Sequence, residues 1–239
     1  MYIREQSSVA PRKAAAACLG ALPIFARKAL DELPTAVWGH GTSELARSDA
    51  EKLMNRVFES LGPSNVSLLD GYDVQLHIIP HDKRLTDLPE FASLKGVKTF
   101  DGRRYEDVRG VGGMKFGQSI LYTIGEETLV ARPDKPFYPG GRVVYHETGH
   151  VVGQFALTQT QQKRLQDAFA KRKKANGPWL EPYASSNPAE YFACATSAFF
   201  MNPPVGRTGD PIPYTREWLE RNDRPIHALL TDVYKRAAR

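Results

Sequence analysis

Residues 141–157, GRVVYHETGHVVGQFAL, set two histidines and a glutamate inside an otherwise apolar run. On an α-helix, positions i and i+4 lie one turn apart on the same face, so His146 and His150 present both imidazoles to one point. Glu147 projects from nearly the same turn. Ionisable groups on an apolar helix are costly to bury without partners, and a metal ion held between the imidazoles removes that cost. Gly149 and Gly153 each cost about 1 kcal/mol relative to alanine in a helix interior. Close approach by neighbouring backbone would explain them. Whatever fold the chain adopts must therefore be built around one buried, polar, glycine-notched helix.

The spacing of His146, Glu147 and His150 is that of the H-E-x-x-H zinc peptidases, whose glutamate is the general base. Catalytic zinc takes three protein ligands and keeps one position open. The metzincin continuation requires Gly153, which is present, and a histidine at 156, where the chain has Ala156. His77, His81 and His227 remain as third donors, together with a carboxylate from a later helix. The best placed carboxylate is Glu190 in NPAEYFA, 40 residues after His150. Glu190 also lies three residues after a capping Asn187, where it could close a capping box or favour the helix N-terminus. Spacing leaves ligand and cap open.

With 239 residues, the chain can form one large domain or two small ones. No run approaches the roughly 18 apolar residues of a membrane span. The nearest, AAAACLGALPIFA at 14–26, is broken by Gly20 and Pro23. A secretory signal is one reading of it, and a Pro-interrupted helix packed on the domain is preferred. Cys18 and Cys194 are too few for a disulfide framework and match no thiolate metal spacing. Part of the net charge of +5 lies in KRLQDAFAKRKK, 163–174, without the aromatic platforms of a nucleic-acid surface. A solvated helix face suffices, and no nucleic-acid partner is expected.

Periodicity predicts an amphipathic helix over 43–61, strands at 72–80 and 119–125, and an ordered loop over 81–113. From residue 141 the pattern is helical. It comprises the histidine helix, QTQQKRLQDAFAKRKK, NPAEYFACATSAFFM, and one or two terminal helices broken at Pro225. Strands followed by helices imply an α+β fold, a small mixed sheet packed with helices. An N-terminal extension, 1–40, packs on a single domain spanning 41–239.

HETGH, followed about 40 residues later by YASSNPAEYFA, resembles the gluzincin peptidases grouped around the anthrax lethal factor catalytic domain and the Pro-Pro endopeptidases. The longer run YASSNPAEYFACATSAFFMNPP is also similar to Mlc titration factor peptidases. FDGRRYEDVRGVGG and IGEETL resemble segments preceding the zinc helix in lethal-factor-like domains. The likeness covers roughly residues 70–205. It implies a zincin-like fold and a Zn2+ cofactor held by His146, His150 and Glu190. It also implies that Tyr183, seven residues before Glu190, faces the site. Val151 and Val152 depart from the residues common after the second histidine, and the chain has no room for lethal factor's additional domains.

The resulting expectation is a zinc endopeptidase acting on peptide or protein substrates, with Glu147 as general base and Tyr183 stabilising the oxyanion. A secreted or delivered effector, a toxin among them, is favoured over a cytoplasmic enzyme. A peptide-binding pseudo-protease and a structural metal domain are the rivals, and intact Glu147 and Tyr183 argue against both. Gly112 and Gly113 would admit a substrate backbone, pairing as an added strand with 117–123, or simply serve a loop. His40, His77, His81 and His227 are read as strand-end or surface residues.

Overall fold

Apolar residues at alternate positions make Asp73–Ile79 the central strand, with a differently packed face on each side. The computed structural model describes residues 35–130, 141–201 and 214–235. Within them, β1 (Thr35–Trp38) and β4 (Ser119–Gly125) flank β2 (Asp73–Ile79) in parallel, and β3 (Val111–Phe116) closes the order β1-β2-β4-β3 antiparallel to β4. Trp38 pairs with His77, Leu76 with Tyr122, and Met114 with Leu121. Register shifts between Val111 and Met114, at the two glycines, so β3 bulges there.

Val74, Leu76, Ile78, Ile120, Tyr122 and Ile124 join the main core beneath the helices. On the opposite face, Ile79 and Leu121 pack with Leu85, Leu88, Phe91 and Val108 from the segment between β2 and β3. That segment contains short 3-10 turns at Leu85–Asp87, Pro89–Leu94 and Tyr105–Asp107, and its last residues enter β3. Sequence reading places all of 81–113 in a loop. Gly112 and Gly113 concealed the strand because they carry no side chain to alternate. Thr35–Trp38 likewise falls inside the expected N-terminal extension but forms part of the sheet; residues 1–34 lie outside the described residues.

The helices in chain order are α1 (Glu44–Ser60), α2 (Pro63–Val66), α3 (Arg142–Phe155), α4 (Gln159–Lys174), α5 (Pro188–Phe200), α6 (Arg216–Asn222) and α7 (Arg224–Val233). Their starts follow from short polar side chains that accept orphan backbone N–H groups. Ser43 accepts from Ala46, Thr158 forms a capping box with Gln161, Asn187 accepts from Glu190, and Thr215 accepts from Trp218. The Asn65 side-chain amide donates to Ala156 O at the end of α3 and to Gln161 Oε1.

Helix α3 lies between the β3–β4 edge of the sheet and α5. A Cβ at Gly149 would stand 3.1 Å from Ala193 Cα and 3.0 Å from Thr196 Cβ, and one at Gly153 would stand 3.0 Å from the Phe192 ring. The two glycines thus let α5 seat against α3, as their helical cost suggests. The segment before β3 is fastened by Arg109. Its guanidinium donates to Glu127 at 2.8 and 2.7 Å and to the carbonyls of Ile79, Pro80 and Lys83. Burial works to raise the Glu127 pKa, but the Arg109 hydrogen bonds and charge outweigh it and hold the carboxyl below its ordinary value.

Gly149→Val should overpack the α3–α5 contact by about 1–3 kcal/mol. A thermal melt should show it as a fall of several degrees. Arg109→Ala should cost about 2 kcal/mol at neutral pH, less than for a fully buried pair because Arg109 is 30% exposed. A carboxyl with a depressed folded pKa stabilises above its unfolded value and stops doing so as pH falls through the folded one. Denaturant titrations should therefore show the gap between parent and variant closing below pH 4.5, the ordinary value for glutamate.

Candidate functional site

Helices α3 and α5 bring three donor atoms to one point. His146 Nε2 and His150 Nε2 lie 3.1 Å apart, and Glu190 Oε2 is 3.2 Å from each. The i, i+4 spacing aligns the rings edge to face, 4.7 Å between centroids. Glu190 comes from the first turn of α5. Asn187 caps the backbone N–H of Glu190 at 2.9 Å, while the Glu190 carboxylate turns away from the cap towards the histidines. The two readings of Glu190 are thereby separated: Asn187 supplies the cap and Glu190 faces the imidazoles.

The donor set fits a metal ion. Glu190 Oε2 is buried and has no hydrogen-bond partner, although two ring nitrogens stand close to it. Such an orphaned oxygen costs about 1–3 kcal/mol or more, and an ion shared with the imidazoles would satisfy it. Bond lengths of 2.0–2.1 Å to a tetrahedral zinc place its ligand atoms roughly 3.3–3.4 Å apart, close to the separations here. Two imidazole nitrogens and a carboxylate oxygen form a borderline N/N/O set suited to zinc. Burial alone would raise the Glu190 pKa, but the two imidazoles beside its carboxylate hold it far below the usual carboxylate range.

The other ring nitrogen of His146 faces Cys194 Sγ at 3.8 Å. The Cys194 thiol donates to Glu181 Oε1 at 3.0 Å, and Tyr214 Oη donates to the same oxygen at 2.9 Å. Arg142 pairs with the other Glu181 oxygen and stacks over the Tyr214 ring. Burial, followed by the Glu181 charge, pushes the Cys194 thiol pKa well up. A protonated thiol bonded to Glu181 leaves sulfur lone pairs towards His146, so Nδ1 can carry the ring proton and Nε2 the lone pair. Glu181, Arg142 and Tyr214 were not singled out from sequence. Cys194 stands four residues after Glu190 on α5, a helical spacing that could have flagged it.

Glu147, His146, His150, Tyr183 and Glu190 line a cleft of about 950 Å³, together with Phe100, Asp101, Arg103 and the start of β3. Glu147 is buried, and desolvation raises its pKa against the lowering effect of the two histidines. A methyl group at Gly110 would stand 2.5 Å from Glu147 Oε1, so the backbone before β3 directly overlies that carboxylate. The Tyr183 hydroxyl donates to Glu190 Oε1 at 3.2 Å, and its ring is 38% exposed to the cleft. Burial and the Glu190 charge raise its pKa, keeping the phenol protonated.

Gly112 and Gly113 also line the cleft. Their missing side chains make room for α3: a Cβ at Gly112 would meet His150 Cβ at 2.5 Å, and one at Gly113 would meet Phe155 at 2.9 Å. The partner strand along 119–123 is β3 itself, not an added peptide. The remaining histidines stand apart from the triad. His81 faces Glu126 and Glu127, and His227 lies beside Phe199. His77 is fully buried, not a surface residue, because β2 turns it beneath Phe91 on the far face of the sheet.

A family model described as anthrax toxin lethal factor, N- and C-terminal domain, matches residues 30–207. Among solved structures, a Pro-Pro endopeptidase from Paenibacillus alvei aligns with a TM-score of 0.52 at 21% identity. That alignment covers 85% of this chain and 98% of the other, and supports the mixed α+β, zincin-like fold. No protein of curated function matches significantly. The family match takes in all four strands, α3 and α5, and with them both histidines and Glu190. The chain belongs to the anthrax toxin lethal factor family.

Proposed function

We propose that the protein is a zinc-dependent endopeptidase of the gluzincin type, with His146, His150 and Glu190 as metal ligands and Glu147 as general base. The observation that carries this reading is the orphaned, buried Glu190 Oε2 at 3.2 Å from both imidazole nitrogens. When bound, zinc would lower the pKa of a coordinated water to about 7 and polarise the scissile carbonyl. Glu147, whose pKa burial raises, takes the proton of the attacking water and delivers it to the leaving amine. The Tyr183 phenol stays protonated and can release Glu190 to donate to the developing oxyanion. Cys194 and Glu181 hold the His146 ring in place from behind.

The outer edge of β3 is unpaired among the described residues and runs along the cleft. An extended peptide can add there as a further strand, its backbone N–H and C=O groups meeting those of β3. This replaces the pairing with 117–123 expected from sequence, while keeping Gly112 and Gly113 beside the substrate. Exposed Phe100, also lining the cleft, offers an apolar contact. Action as a secreted or delivered effector is part of the proposal and rests on family membership alone. Proline at the scissile bond enters only as one arm of a substrate test, prompted by the name of the structural neighbour.

Incubation with a peptide library that includes Pro-Pro sequences should yield cleavage that a chelator abolishes and zinc restores. Glu147→Gln should retain bound zinc, measured by elemental analysis, while kcat falls about 10²–10⁴-fold. A parent protein that binds zinc and cuts nothing would instead identify a peptide-binding pseudo-protease. Gly110→Ala should displace the Glu147 carboxylate, lowering kcat by up to about 10²-fold with little change in melting temperature or zinc content. Steady-state kinetics beside a thermal melt would check this.

A further inference from the structure

A second group of metal-binding side chains lies across the sheet from α3. His40 Nε2 and His77 Nδ1 face each other at 2.9 Å, and Glu90 Oε2 lies 3.9 Å from His77 Nδ1. These donors come from the turn after β1, from β2, and from the 3-10 turn Pro89–Leu94. We propose that His40, His77 and Glu90 form a second divalent-cation site of the zinc class, separate from the cleft.

Three features prepare the donors. The Gln75 amide nitrogen donates to the Asp73 carboxylate, which can only accept, so Gln75 Oε1 faces His77 Nε2 at 3.2 Å. His77 Nε2 therefore carries the proton and Nδ1 the lone pair, the kind of outer hydrogen bond that orients a ligating imidazole. The His77 ring is clamped between Trp38, stacked at 6.1 Å, and the edge contact of Phe91 at 5.4 Å. The ring is fully buried, which favours its neutral form over a charged one.

His40 has φ 49°, a left-handed conformation that most L-residues avoid. In that conformation its ring lies against His77. With no ion bound, His40 Nε2–H donates to His77 Nδ1. Binding moves the His40 proton to its other ring nitrogen, leaving both facing lone pairs for the cation without net proton loss. Donor separations of 2.9 and 3.9 Å bracket the tetrahedral zinc spacing of roughly 3.3–3.4 Å. Glu90 is exposed, leaving water access to the open position, and Lys83 is the nearby opposing charge. A bound ion would pin the 89–94 turn to the sheet, and the same connection goes on to form the cleft wall at 99–109.

The test uses the His146→Ala protein, so that the α3 site cannot contribute a full ligand set. Equilibrium dialysis with Zn2+ should still find one bound equivalent, and zinc should raise the melting temperature. Adding His40→Asn and Glu90→Gln should remove that equivalent and the thermal shift while preserving the metal-free melt. Asparagine tolerates the left-handed backbone and Glu90 is exposed. Two results would overturn the proposal. One is no zinc bound by His146→Ala; the other is binding undiminished in the triple variant, which would mark adventitious ions at surface groups such as His81. Peptide cleavage by the parent reads the cleft site separately, so either assignment can fail without the other.

Discussion

The structure depends on how closely α3 can be approached from both sides. A helix carrying two histidines and a glutamate through an apolar core needs each polar atom partnered within a few ångströms, because burial without a partner costs more than the helix can recover elsewhere. On one side Gly149 and Gly153 admit α5 almost to backbone contact, and that approach brings Glu190 to the imidazoles. On the other, Gly112 and Gly113 admit His150, Val151 and Phe155 against the bulged strand β3. Larger residues at these positions would separate the layers and leave the donor atoms out of mutual reach.

Within that sandwich, its surroundings set the ionisation of each carboxylate. Glu190 is held ionised by the two histidines, despite being buried. Glu147, one residue from His146, is raised by desolvation and lies directly beneath the Gly110 backbone. Glu181 stays ionised among Arg142, Tyr214 and the Cys194 thiol, and through that sulfur it supports the back of the His146 ring. Three carboxylates thus occupy one neighbourhood, distinguished by what surrounds each rather than by residue type.

Much of the local structure was legible. The amphipathic helix at 44–60, the two alternating strands and the Asn187 cap follow from periodicity and from a short side chain that satisfies a free N–H group. Two strands were not. β1 has only four residues and lies beside a long N-terminal stretch, and β3 has glycines where alternation would show. His77 was misjudged because alternation reveals which residues share a face, not whether the polar face is covered; the 81–108 segment covers it.

For the site, the chain's own order determined His146, Glu147 and His150, because helical geometry turns a four-residue spacing into one face without help from the rest of the molecule. It also determined that Asn187 starts a helix, and hence that Glu190 stands in its first turn. Whether Glu190 would close its own cap or cross to another helix is a competition between a local and a distant partner. Only the packing of α5 on α3 settled the direction of its carboxylate. The positions of Gly110 over Glu147 and of Cys194 behind His146 belong to the same class, since they arise from distances between elements that no single segment encodes.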